Sequence, residues 1–457
     1  MADKKERMLS FGVELEFYIW WRLRDEESTA RRPKYFELHP GGPLIVDNNS
    51  TVELCNQLQR RIRELSGIST KATVLSGYSK KERPTRFDEQ WGHLSEYGQW
   101  SVKDEISLFS VPHSLEVAGE GVPGGWAPVE VVSPALWSTA EGFDQVRRVC
   151  HYLQNTYFIW PHEECGLHIH VGQGNNWLPL QSLRKVAAFL YVADPILAQC
   201  HPQHRTDNTW CPSLRLYSSV SVGLKRSHLV DTPSQLDDDE DVPIISGIET
   251  KKRGFLNSIL SLFQKAKDKN VGVRDDFPPR PSIPSYVPRK TTLASAFHWV
   301  LQEFEIIVDP EQYTPVPMIE AVNELLQVQN RRTISSLLKT PYRSAYSFSN
   351  LSGINPYEKR TIEFRQPAAT IEPVEVVSHA RIAVRLCEFA ANCTQQDIEK
   401  LTLDLSMAEH DPGWFDVYDL FGCLGLRPEA RVIQASLARK MTQSVRDRYF
   451  EERPAKK

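Results

Sequence analysis

Residues 10–21 read SFGVELEFYIWW, an alternation that identifies a β-strand with two unlike faces. In an extended chain, residues two apart point the same way. Gly12, Glu14 and Glu16 therefore share one face, and Phe11, Val13, Leu15 and Phe17 share the other. The apolar face belongs over a core. The acidic face needs water, a cationic partner or a metal. A Glu-x-Glu pair on a solvated strand is commonplace, so its meaning depends on what the rest of the chain brings beside it.

Outward from this strand, residues 22–50 read as a loop, and apolar spacing from Val52 to Leu65 predicts a helix ending near Gly67. A strand is expected at Lys71–Leu75, a loop at 80–93, and antiparallel strands between Gly98 and Pro134, the last being the PVEVVSP segment at 128–134. A helix over Asp144–Tyr157, a strand over Cys165–Gly172 and a helix over Leu180–Gln199 follow. Residues 231–292 combine DDDED at 237–241, KKR at 251–253 and prolines at 278, 279, 281, 284 and 288, the pattern of a mobile insertion. Helices are expected at Leu293–Phe304 and Met318–Leu338, a strand and turn at Tyr342–Asn355, a strand at Arg360–Gln366 and a helix at Pro373–Ala391. The remainder is helical and ends in a frayed EERPAKK. The irregular mixture predicts an α+β fold, with a catalytic domain at 1–395 and a helical extension at 396–457.

Composition narrows the function classes. The chain has 457 residues, 41% hydrophobic and 25% charged, as in soluble globular proteins. A net charge of -4 offers no field for a polyanion, so nucleic acid is not an expected partner. The start, MADKKERMLSFGVELEF, lacks an apolar signal core, and no apolar run reaches the ~20 residues of a membrane span. Eight cysteines without a CxxC pair suggest thiols in a reducing compartment, with the cytoplasm as default.

Three further segments repeat the spacing of the opening strand or extend it: Glu130 in VEVVSP, His168 and His170 in HIHVG, and Glu363 and Arg365 in RTIEFRQ, preceded by Arg360. Singly, each fits an ordinary strand pair or a cross-strand salt bridge. Placed side by side they would assemble four carboxylates, two imidazoles and a guanidinium on one face. That many acids at close range repel unless cations lie between them. Mostly oxygen ligands with one or two imidazoles suit Mg²⁺ or Mn²⁺ better than Zn²⁺. An arginine among such acids suits a phosphoryl group. GxxxxGK[ST] and strand-linked GxGxxG loops are absent, so a nucleotide would be held by metals and arginines.

In this order GVELEF, VEVVSP, CGLHIHVG and RTIEFRQPAAT resemble the amidoligase family common in fungi, within the glutamine synthetase and glutamate–cysteine ligase superfamily. The resemblance spans roughly residues 10–220 and 340–395. It implies a half-open antiparallel barrel covered by helices, with ATP and Mg²⁺ as cofactors, joining a small-molecule or peptide carboxylate to an amine through an acyl-phosphate. It further implies Glu14, Glu16, Glu130, His168 and Glu363 as metal ligands and His170 facing the nucleotide. Arg365 would lie near the transferred phosphate, with Arg360 and Arg343 lining its path. Asp104, in WSVKD, matches a residue bordering the amine site and would deprotonate the amine, although Ile106 stands where the family has a small polar residue. Arg205 and Asn208, in HRTDNTW, match an Arg-x-x-Asn element that anchors a substrate carboxylate. Two competing readings are a two-metal hydrolase, separable by amine-dependent ADP release, and an inactive ligase fold serving as a binding module.

Overall fold

The opening strand forms as its alternation requires. It is β1, Ser10–Leu23, and Phe11, Val13, Leu15, Phe17 and Ile19 are each at most 2% exposed on its apolar side. The computed structural model describes residues 8–25, 39–65, 98–108, 111–112, 124–174, 176–206, 208, 210–229, 316–341, 343–352, 359–410 and 414–451. The strand expected at 71–75, the loop at 80–93, the insertion at 231–292, the helix at 293–304 and the last six residues of the tail lie outside them.

Around β1 the chain adds β2 (Leu44–Val46), β3 (Ser101–Asp104), β4 (Gly125–Val132), β5 (Leu136–Trp137), β6 (Ile159–Trp160), β7 (Leu167–Gly172), β8 (Tyr346–Ser347) and β9 (Ile362–Phe364). The main path runs β3-β4-β1-β7-β9-β8, and every pairing along it is antiparallel. β2, β5 and β6 pair with parts of β1, and β2 does so in parallel. The sheet is open among the described residues, with β3 and β8 on its edges, where a half-open barrel was expected. β2 corrects the expectation of loop through 22–50, since three residues carry too little alternation to be seen in sequence.

Helices cover the apolar face: α1 (Thr51–Arg63), α2 (Ala140–Thr156), α3 (Leu180–Leu197), α4 (Met318–Leu326), α5 (Arg331–Leu337), α6 (Pro373–Asn392), α7 (Gln395–His410), α8 (Val417–Cys423) and α9 (Arg427–Glu451). α6 starts with proline at its first position, where the missing N–H is no loss, and packs on α2, α3, α9 and the sheet. α3 is buried all round from Val186 to Leu197, as expected for a central helix apolar on every side. Thr139 caps α2 by accepting from Gly142 N at 3.2 Å. The single helix expected over Met318–Leu338 is two: the first ends at Leu326, and Asn330 caps α5 by accepting from Thr333 N at 2.8 Å. All eight cysteines are unpaired, seven of them buried, and burial pushes the Cys150 thiol up to about 12. Among the described residues no helix is long and apolar enough to cross a membrane.

Candidate metal and phosphate face

Register places the polar residues in adjoining rows on the other side of the sheet. Glu16 lies opposite Glu130 on β4, and Glu130 opposite Lys103 on β3. Glu14 lies opposite His168 on β7, while Gly12 faces His170, which in turn faces Glu363 on β9. Directly opposed residues project to the same side, so four strands deliver one contiguous face. Gly12 leaves its place in that face free of a side chain.

The contacts are short. His168 Nδ1 is 3.4 Å from both Glu14 Oε2 and Glu16 Oε1, and His170 Nε2 is 3.0 Å from Glu14 Oε1. Arg365 Nη1 donates to Glu363 Oε1 at 2.5 Å and approaches His168 Nδ1 at 3.4 Å. Gly166 N donates to Glu16 Oε2 at 2.6 Å, fixing that carboxylate. His170 Nδ1 is 3.0 Å from Thr361 Oγ1, which turns Nε2 toward the acids. Glu14, Glu16, His168, His170, Glu363 and Arg365 are each at most 8% exposed.

Electrostatics follow from this crowding. Burial alone would raise Glu14, but the nearby charge of His170, the contact with His168 and Lys359 outweigh it and hold the carboxyl well below its ordinary range. Burial of Glu363 is likewise outweighed by His170, Arg365 and His168, which bring it down to about 2. Glu130 goes the other way: burial, then the charge of Glu14 and a hydrogen bond with it, push it up to about 9. The face thus keeps a proton on Glu130 to limit repulsion among its acids.

Three groups have ligand atoms all within 4.8 Å of one another: Glu14, Glu130 and His168; Glu14, His170 and Glu363; and Glu16, Glu105 and Glu130. His170 Nε2 is buried and, despite its nearness to Glu14, makes no well-directed hydrogen bond. A buried nitrogen without such a bond, among surplus carboxylates, fits a hard divalent cation.

Other expected site residues are placed elsewhere. Asp104 lies opposite Val129 and shares the helix-covered face with Val102, where its charge adds to the burial that raises the Cys55 thiol on α1. Its register thus sets it on the opposite side of the sheet from the acid face. Its neighbour Glu105 joins that face instead, in parity with Lys103. Arg205 is 2% exposed, with Nη2 donating to Arg365 O at 2.6 Å and Nε to Gln366 O at 3.3 Å. Through these two bonds to backbone it braces the end of β9. Asn208 Oδ1 accepts from Trp210 N at 2.6 Å, shaping a turn. Arg360 stacks on Trp177 with its guanidinium 4.8 Å from the ring centroid, and Arg343 is exposed on the approach to β8.

Sequence reasoning missed Glu105, Lys359, Gly166 and Thr361. Strand parity from Ser101 through Lys103 could have found Glu105. The others emerge only from the register.

Fold and face together define an α+β protein with an open, mainly antiparallel sheet and a carboxylate–imidazole face able to hold cations. Residues 7–219 match the family described as "Putative amidoligase enzyme", so the chain carries amidoligase-family sequence over that segment. Glu363 and Arg365 lie beyond the matched residues and reach the face through the β7–β9 pairing. No curated protein and no solved structure matches the chain.

Proposed function

We propose that this protein is an ATP-dependent carboxylate–amine ligase of the glutamine synthetase-like kind. The observation carrying this reading is the convergence of Glu14, Glu16, Glu130, His168, His170 and Glu363 on one sheet face, with Arg365 against Glu363. Glu14, Glu16, Glu105, Glu130, His168 and Glu363 would hold Mg²⁺ or Mn²⁺, and His170 would complete one group toward the nucleotide. Such an ion, when bound, neutralises phosphate oxygens.

The chain's own residues supply the rest. Glu363 aims the Arg365 guanidinium along the face, where it can spread the charge of a transferring phosphoryl group. The substrate carboxylate attacks the γ-phosphorus of ATP and ADP leaves. The amine then attacks the acyl carbon of the resulting acyl-phosphate. An amide forms, and inorganic phosphate and a proton are released. Burial of the acids and histidines keeps water from competing at that carbon.

The test is ADP release by the purified protein with ATP, Mg²⁺ and pools of candidate acids and amines. Release should require both an acid and an amine, and Glu363→Gln should lower it at least ~100-fold together with Mn²⁺ binding. Full activity in Glu363→Gln, or ADP release indifferent to the amine, would sink the assignment.

A further inference from the structure

The chain reaches β9 through Lys359, Arg360 and Thr361, and each is tied to a different part of the site. Lys359 Nζ lies 2.7 Å from Glu14 Oε1. Arg360 adopts a left-handed φ of 57°, with its guanidinium over Trp177. Thr361 is held by His170. A non-glycine residue at positive φ persists only where its surroundings hold it. The stacked ring on one side and the histidine contact on the other do so here. This turn directs Lys359 across β7 to β1.

The oxygen that Lys359 contacts is the one 3.0 Å from His170 Nε2, and Glu14, His170 and Glu363 form one of the cation-competent groups. An ammonium and a divalent ion on the same carboxylate oxygen repel strongly at such range. The lysine can leave. Its side chain is 26% exposed, on a flexible four-carbon stem, whereas Glu14 beneath it is 6% exposed.

We propose that Lys359 is a displaceable internal cation. It neutralises Glu14 until a divalent ion takes the Glu14–His170–Glu363 group, and then turns to the anionic phosphate on the same face. This rests on the cation-binding reading above. A lysine seated in roughly nine of ten molecules lowers apparent metal affinity about tenfold, because only the remaining fraction is competent to bind.

The experiment is a Mn²⁺ titration of the full chain at neutral pH, with free Mn²⁺ followed by electron paramagnetic resonance. Lys359→Met should bind Mn²⁺ roughly tenfold more tightly than the wild type and form ADP more slowly. Lys359→Gln should behave like Lys359→Met. Lys359→Arg, which keeps the charge, should stay near the wild-type affinity. A melting temperature for each variant shows that it is folded. Equal or weaker binding in folded Lys359→Met and Lys359→Gln overturns the role of Lys359 and leaves the metal face standing. Absence of Mn²⁺ binding in every form overturns both.

Discussion

Acid lability of the α6–α9 junction follows from one buried imidazole. His379 on α6 stacks on His201 with ring centroids 5.7 Å apart and planes 17° from parallel. Its Nε2 is 4.0 Å from Glu375 Oε1, and that carboxylate is engaged by Lys440 Nζ at 2.5 Å and by Thr370 Oγ1 at 3.1 Å. Burial lowers His379 to about 4, more than Glu375 can restore, and Lys440 adds to the lowering. The unfolded imidazole takes its proton near pH 6.5 and the folded one near 4, so the unfolded chain binds more protons in between. Stability is therefore full above 6.5 and falls as the pH drops through that window. The loss from pH 7 to pH 4.5 is roughly 2–3 kcal/mol. His201, lowered well below its ordinary value by burial and next by the charge of His379, adds a loss of the same sign, part of which His379→Phe also removes. Glu375, whose burial is outweighed chiefly by Lys440 and His379, is held low and acts mainly below this range. Urea unfolding of wild type and His379→Phe, which keeps a ring on His201, is the assay. Wild type should lose roughly 2–3 kcal/mol more than the variant on going from pH 7 to 4.5. Parallel losses would refute the reasoning.

Three further perturbations test other parts. A Cβ at Gly166 would lie 2.7 Å from His168 Nε2 and 3.1 Å from Arg205 Nη2, so Gly166→Ala should displace the imidazole. Mn²⁺ affinity should drop tenfold or more at a stability cost of about 1–3 kcal/mol, read by titration and melting. Ser213 donates its hydroxyl to the buried Asp194, whose carboxyl burial pushes up to about 6. Ser213→Ala should destabilise by about 1–3 kcal/mol in urea, with a nearly neutral result counting against that bond. Trp177 carries Arg360 at 4.8 Å and Arg331 at 5.6 Å on its ring, so Trp177→Ala should cost about 1–2 kcal/mol and slow ADP formation, and unchanged kinetics would separate the turn from the site.

Period-two alternation made β1, β4 and β7 legible, because each is long enough to show two faces. β2, β5 and β6 have two or three residues and no pattern to read, and they exist because β1 presents free edges. The acids and histidines were legible as same-face pairs; their mutual contacts depend on register, which joins residues more than a hundred positions apart. The side of the sheet that Asp104 takes was legible from parity with Val102, which the WSVKD motif does not convey. The bracing contacts of Arg205 were not legible because its acceptors are backbone carbonyls 160 and 161 residues away, which carry no side-chain signature.

The two faces of β1 are linked energetically, and that link can be tested. Five nearly fully buried apolar side chains on one face contribute on the order of 10 kcal/mol. This margin lets the same strand hold Glu14 and Glu16 at 5% and 8% exposure, where unpaired carboxylates each cost several kcal/mol. His170, His168 and Lys359 offset that cost on Glu14 and Gly166 N offsets it on Glu16, whereas Glu130, pushed up to about 9 by burial and by Glu14, opposes stability in the metal-free chain at neutral pH. Glu130 is the place to measure it, because it lies against Glu14, Glu16 and Glu105 and needs no cationic partner to be replaced. Glu130→Gln keeps the shape, removes one acid from the cluster, and should melt higher than wild type in chelator by the equivalent of about 1 kcal/mol or more. On adding Mg²⁺ the wild type should rise more than the variant, which loses a ligand from two of the three groups and keeps the Glu14–His170–Glu363 group, since a ligand for the native state stabilises in proportion to its affinity. A variant less stable than wild type in chelator would show that Glu130 serves the fold, and the metal face would lose its energetic support.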